Sequence, residues 1–141
     1  MIDLEVMAGY RIYSFEKLNV YKDIIALRIK VQQIISLFPN DERYDSVRQI
    51  KRATDSMGAN IAEGSGRSSN FDQSHFTNMS YASALELIYH LTIAYKLNFI
   101  SIDDYKSLRL EIDKISYKLN ALYKFQINNH KTLKIKNKNQ K

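Results

Sequence analysis

The sequence predicts an all-α protein folded as an antiparallel up-down-up-down four-helix bundle. Three observations point there. Only four glycines and one proline occur in 141 residues, too few for an all-β chain, which needs turn residues every ~8–12 positions. Apolar residues recur at spacings of three and four through four long stretches, the period of a helix with a buried face. The links between those stretches are short, so consecutive helices run antiparallel. The length suits one domain around a single core, and no internal repeat is visible.

Residues 1–16 carry no clear period and are expected to form a loose lead-in. From Lys17 the residues Leu18, Tyr21, Ile24, Leu27, Val31, Ile34 and Phe38 mark the first helix. Pro39 stops it, because proline disfavours helical geometry at the preceding residue. Asn40–Tyr44 is a polar connection, and Asp45 is the expected N-cap of the second helix, its carboxylate accepting first-turn N–H groups. Val47, Ile50, Ala53, Met57 and Ile61 form the buried stripe of that helix. Gly58 costs roughly 1 kcal/mol against alanine there and marks a bend or a close helix contact. Gly64 is expected to end the helix in the left-handed conformation.

Ser69-Asn70-Phe71-Asp72 resembles a capping box with Asp in place of Glu, opening a third helix that runs to about Asn98. Between Phe71 and Asn98 its only charged residues are Asp72, Glu86 and Lys96. Phe76, Met79, Leu87, Leu91 and Ala94 lie on one side, Ile88 and Tyr95 on another, Tyr89 and Ile93 between. A helix apolar all round is buried on more than one face, whereas a small bundle covers only one, so a subunit interface is expected. Ser101-Ile102-Asp103-Asp104 offers the next N-cap with acids in the first turn. The fourth helix carries a heptad seam, Tyr105, Leu108, Ile112, Ile115, Leu119 and Leu122, and a second apolar set, Leu110, Tyr117 and Phe125, lies off it. The bundle spans residues 17–127, and residues 128–141 read as a basic tail expected to be disordered.

The net charge of +6 is unevenly spread. Met1–Ile127 holds 16 basic and 15 acidic side chains, a surplus of +1, and the last fourteen residues hold five lysines and no acid. No cysteine is present, which excludes disulfides and thiolate metal sites and fits a reducing, cytoplasmic location. No window is apolar enough to span a bilayer, no membrane contact is expected, and the N-terminus lacks the pattern of a signal peptide.

Several residues could carry chemistry. Arg48, Lys51 and Arg52 form a basic patch opposite the core stripe of the second helix, with Asp55 among them and Arg67 just beyond the helix end. Together with Lys131, Lys134 and Lys136 of the tail, they are the candidate contacts for nucleic acid, whose phosphates attract such a field. The plainer reading is a solvated face partly neutralised by Asp55 and Glu63. Glu86 lies in projection among Met79, Ile93 and Leu97, where a carboxylate needs a partner or a proton; Arg52 or another cation across the bundle is the natural candidate. Asn60, Glu63 and Glu86 are therefore read as structural polar residues.

Catalytic, metal and cofactor sites are not expected. His75 and His90 on one helix would stand roughly 22 Å apart at 1.5 Å per residue, and the Glu-x-x-His pairs of a bundle di-metal site are missing. Gly64-Ser65-Gly66-Arg67 follows a helix and lacks the lysine-hydroxyl ending of a phosphate loop. Tyrosines could stack on single-stranded bases, yet Tyr21, Tyr89, Tyr105 and Phe76 fall on apolar stripes, which leaves Tyr10, Tyr13 and Tyr44 freer.

Phe15-Glu16-Lys17-Leu18-Asn19-Val20-Tyr21, Leu37-Phe38-Pro39, Gln49-Ile50-Lys51-Arg52-Ala53, Asn60-Ile61-Ala62-Glu63-Gly64 and Ser83-Ala84-Leu85-Glu86-Leu87 follow one another in order. In these motifs the chain resembles the four-helix-bundle proteins encoded in intervening sequences of bacterial large-subunit ribosomal RNA genes. Gly58 and Ala59 depart from the proline and serine common there. The resemblance covers roughly Phe15 to Phe125 and implies a closed homo-oligomeric ring, a pentamer. A more distant similarity, to accessory proteins of diversity-generating retroelements, implies basic rings that bind RNA and a reverse transcriptase. The expected function is non-catalytic binding of RNA, or of DNA, by such a ring. The alternative is a protein-interaction scaffold that binds no nucleic acid.

Overall fold

The structure, a computed structural model, describes residues 8–39 and 43–139. A 3₁₀ turn at Ser14–Lys17 leads into α1 (Asn19–Ile35), α2 (Arg43–Ser65), α3 (Asn70–Lys96) and α4 (Ile102–Asn139), with no strand among the described residues. Helix α3 packs against α2 and α4, and α1 against the same two, so α1/α3 and α2/α4 are the diagonals of the bundle. This is the expected all-α architecture.

The lead-in is more ordered from Tyr13 than its sequence suggests. The Tyr13 N–H donates to Glu16 Oε2 at 2.7 Å, and the Phe15 ring meets Tyr21 edge-on at 5.1 Å, fastening the 3₁₀ turn to α1. Met1–Met7 lie outside the described residues. Leu18 is extended, so α1 starts at Asn19 rather than Lys17. It closes through tight turns, Leu37 N–H to Ile34 O and Phe38 N–H to Ile35 O, which bury Phe38 just ahead of Pro39.

Helix α2 begins at Arg43, so Asp45 is not its N-cap but an acid inside the first turn, still favoured by the helix dipole; Asn40, Asp41 and Glu42 lie outside the described residues. The helix runs unbroken through Gly58 and Ala59, where the resembled family has proline and serine. Gly64 is also helical rather than left-handed. Its role is close approach: a Cβ there would stand 2.6 Å from Phe76 Cβ of α3. Ser69 caps α3, its Oγ accepting the Asp72 N–H at 3.1 Å, the first half of the capping box. Among the described residues other than glycine, the left-handed one is Asn98, at φ 64°. The Asn98 N–H reaches Tyr95 O and the Phe99 N–H reaches Ala94 O, the paired bonds that close a helix C-terminus. Ser101 caps α4 through the Asp104 N–H. Helix α4 then stays helical to Asn139, past the expected boundary at Ile127. No glycine or proline between Asn128 and Asn139 ends the helix.

One core runs the length of the bundle. Ile24, Leu27 and Val31 of α1 meet Ile50, Ala53 and Met57 of α2, Leu87, Leu91 and Ala94 of α3, and the α4 seam Leu108, Ile112, Ile115 and Leu119. Each of the larger side chains contributes about 1.5–3 kcal/mol by leaving water. Lys30 with Glu111 (3.0 Å) and Lys118 with Asp23 (2.5 Å) tie α1 to α4.

The first half of α3 departs from the expected pattern. Met79 is exposed and Phe76 half-buried, while Ser74, Thr77, Ser80 and Ser83 form the buried face. Small hydroxyl side chains let α2 come near and then bond to it. Ser80 Oγ donates to Met57 O at 2.8 Å, and Ser56 and Ser83 share a hydrogen bond of 2.8 Å. The apolar residues Phe71, Met79, Leu85, Tyr89 and Ile93 are left on the outside.

Candidate functional site

Helical geometry brings Arg48, Arg52, Asp55 and Ala59 to the outer face of α2, with Lys51 and Glu63 at its flanks. The face is a lattice of ion pairs rather than a bare cationic patch. Arg48 pairs with Asp45 at 3.3 Å. Arg28 of α1 takes Asp55 at 2.7 Å. Arg52 bonds Gln49 of its own helix and crosses to Glu86 of α3. Arg67 lies 4.0 Å from Glu63 and stacks over the Phe76 ring, 4.5 Å from its centroid. Lys51 is half-buried and makes no ion pair among the described residues. The structure thus brings Arg48, Lys51 and Arg52 together, as expected, but supplies three of the four body cations with an acid.

Glu86 is held by Arg52, and His90 Nε2 stands 3.3 Å from the same carboxylate oxygen. The Arg52 hydrogen bond is the main reason that the Glu86 carboxyl sits below the usual carboxylate range; desolvation opposes it, and His90 adds a smaller pull. Asn60 is buried, its Nδ2 donating to Ser56 O at 2.8 Å and lying 3.0 Å from Ser56 Oγ. It belongs to the hydroxyl seam between α2 and α3. Lys131, Lys134 and Lys136 are placed by the α4 backbone alone, on turns beyond the packed part of the bundle; Tyr44 is likewise placed by backbone alone.

Sequence reading missed Thr77 and Gln126, both buried, joined by a 2.7 Å hydrogen bond from α3 to α4. Periodicity could have found them. Gln126 occupies the next position of the α4 seam after Leu119 and Leu122, and Thr77 continues Ala94, Leu91, Leu87, Ala84 and Ser80 backward along α3. Tyr105 is a second such node. Its hydroxyl bonds Thr92 at 2.9 Å and accepts from Arg109 at 2.9 Å, and the Thr92 bond leads in holding its acidity above that of a free tyrosine.

Between α1 and α2 a cleft of about 210 Å³ is lined by Tyr21, Ile25, Gly58, Ala59 and the Arg28–Asp55 pair. Thr54, also in its lining, gives its hydroxyl proton to Ile50 O at 2.7 Å. Among the described residues no three His, Asp or Glu side chains cluster as metal ligands would, and no helix is long and apolar enough to cross a membrane.

Residues 16–121 match the family model described as 23S rRNA-intervening sequence protein. A crystal structure of a protein with unknown function from the S23 ribosomal protein family of Bacteroides thetaiotaomicron VPI-5482 is similar in fold. Its TM-score is 0.69 at 23% identity, over 74% of this chain and 98% of that one. No curated protein sequence matches the chain.

Proposed function

Because the chain belongs to the 23S rRNA-intervening sequence protein family, we propose that it is a non-catalytic RNA-binding protein acting as a homo-oligomeric ring. The observation that carries this reading is the separation of charge. The first 127 residues are nearly neutral and Arg48, Arg52 and Arg67 each face an acid, while five lysines without an acid follow Ile127. Attraction to phosphate therefore centres on Lys131, Lys134 and Lys136, with Lys51 and the paired arginines in support. A ring multiplies the effect, because each copy brings its own lysine-rich helix end to one polyanion. Contacts of this kind hold the sugar-phosphate backbone and read little sequence.

Filter binding to RNA over a salt series tests the reading. Each phosphate contact adds about −0.7 to the logarithmic salt slope on a single strand, so replacing Lys131, Lys134 and Lys136 by Gln should flatten the slope by about 2. Absence of affinity at low salt overturns it.

A second reading, a protein-interaction scaffold, draws on one specific feature. Leu110, Tyr117 and Phe125 lie along the outer face of α4 at 58–78% exposure, an apolar stripe of the kind that partner surfaces use. A reverse transcriptase is one partner of that class. This reading takes over if RNA binding is absent while a partner protein still binds that stripe.

A further inference from the structure

We propose that the end of the bundle, where α4 passes the N-terminus of α3, is a pocket for one unpaired base of the RNA strand. The inference rests on the RNA-binding reading and adds a defined site to it. An opening of about 180 Å³ is lined by Phe15, Leu18, Asn70, Gln73, Phe125 and Gln126. A smaller recess of about 40 Å³ continues it inward past Phe15, Leu18, Gln73 and Gln126 to Thr77.

Gln126 carries the chemistry. It is 6% exposed, and among the described residues its amide has a single hydrogen-bond partner, the Thr77 hydroxyl. That hydroxyl has one proton and also lies 3.3 Å from Gln73 O. If the proton goes to Gln73 O, the Gln126 NH₂ turns toward Thr77 and leaves its carbonyl open. If it goes to Gln126, the NH₂ is left open. In both arrangements one polar end of the amide lines the opening without a protein partner and is left to solvent or to a ligand. Unpaired bases offer complementary donors and acceptors on their Watson–Crick edges.

The surroundings select a nucleic acid over other occupants. Phe125, 58% exposed at the rim, and Phe15 supply the flat apolar surfaces on which bases stack. Lys131 follows Gln126 by five residues and Lys138 by twelve, about 7.5 and 18 Å further along the α4 axis, so a strand leaving the pocket meets cations along its backbone. The volume is below the ~300–1,000 Å³ of typical small-molecule sites, which suits one flat base better than a free cofactor.

Fluorescence anisotropy with the full chain tests this, using single-stranded oligo(A), oligo(U) and an abasic strand of equal length. The wild type should bind the base-bearing strands roughly tenfold or more tighter than the abasic one. Phe125→Ala, at an exposed position that folding does not need, and Gln126→Met, of similar volume, should each erase that preference without changing the salt slope. Equal binding of abasic and base-bearing strands by the wild type overturns the pocket and leaves backbone binding intact, as does a preference that survives both substitutions. A shift in sedimentation of RNA-free Phe125→Ala would mean that a second copy fills the pocket, and overturns it too. No binding of any strand at low salt overturns both this inference and the reading beneath it.

Discussion

Gly64 and Phe76 hold α2 and α3 so close that a Cβ on the glycine would stand 2.6 Å from the phenylalanine Cβ. The obstructing atom is fixed to the α3 backbone and cannot swing away. Gly64→Ala should therefore destabilise the fold by about 1–3 kcal/mol, the usual cost of overpacking, despite alanine's better helix propensity. At Gly58 the nearest atom is an Ile24 methyl at 3.4 Å, so Gly58→Ala should stabilise by up to about 1 kcal/mol. Urea unfolding of the two variants should move the midpoint in opposite directions.

Asn98 makes its left-handed turn at φ 64° without being glycine. Asparagine tolerates that conformation better than most residues, and β-branched side chains tolerate it poorly. Asn98→Val should lower stability by about 1–2 kcal/mol, and Asn98→Gly should preserve or raise it. Thermal unfolding distinguishes the two.

The Arg52–Glu86 pair joins two helices at a surface where both side chains are more than a third exposed. A double-mutant cycle with Arg52→Ala and Glu86→Ala should return a coupling of only about 0.2–1 kcal/mol. The Glu86 carboxyl is held below its ordinary range in the folded state. Its contribution is therefore full above the ordinary glutamate pKa near ~4.3 and is lost as pH falls through the lowered folded value. Stability measured against pH should show a smaller acid-side loss in Glu86→Gln than in the wild type.

Tyr89 and Ile93 stand one turn apart on the outer face of α3, 61% and 38% exposed. Exposed positions contribute within about ±0.5 kcal/mol to folding. Tyr89→Asp with Ile93→Asp should leave the helical content and unfolding midpoint nearly unchanged while reducing the sedimentation coefficient to that of a single chain. A wild-type protein that already sediments as a monomer at micromolar concentration would remove the ring from the proposed function.

Helix number, helix order and the serine caps of α3 and α4 are legible in the sequence because they follow from local chemistry. Periodicity places the seam of α4, Ser69 and Ser101 announce their helices, and Pro39 limits the first one. Glu86 could be recognised as needing a cation because a carboxylate among apolar neighbours is costly wherever it lies. Hydrophobic counting failed in the first half of α3, where Ser74, Thr77, Ser80 and Ser83 rather than Met79 face inward. Their burial depends on how near α2 comes, and that nearness is set by Gly64 and by hydrogen bonds between helices, which one helix's period does not encode. The tertiary structure likewise decided the character of the α2 face. Asp45 lies beside Arg48 on the same helix, but Arg52 is neutralised by a residue 34 positions away and Arg28 by one 27 away. Charges distant along the chain meet only when the helices pack, and so the apparent basic patch became a paired surface.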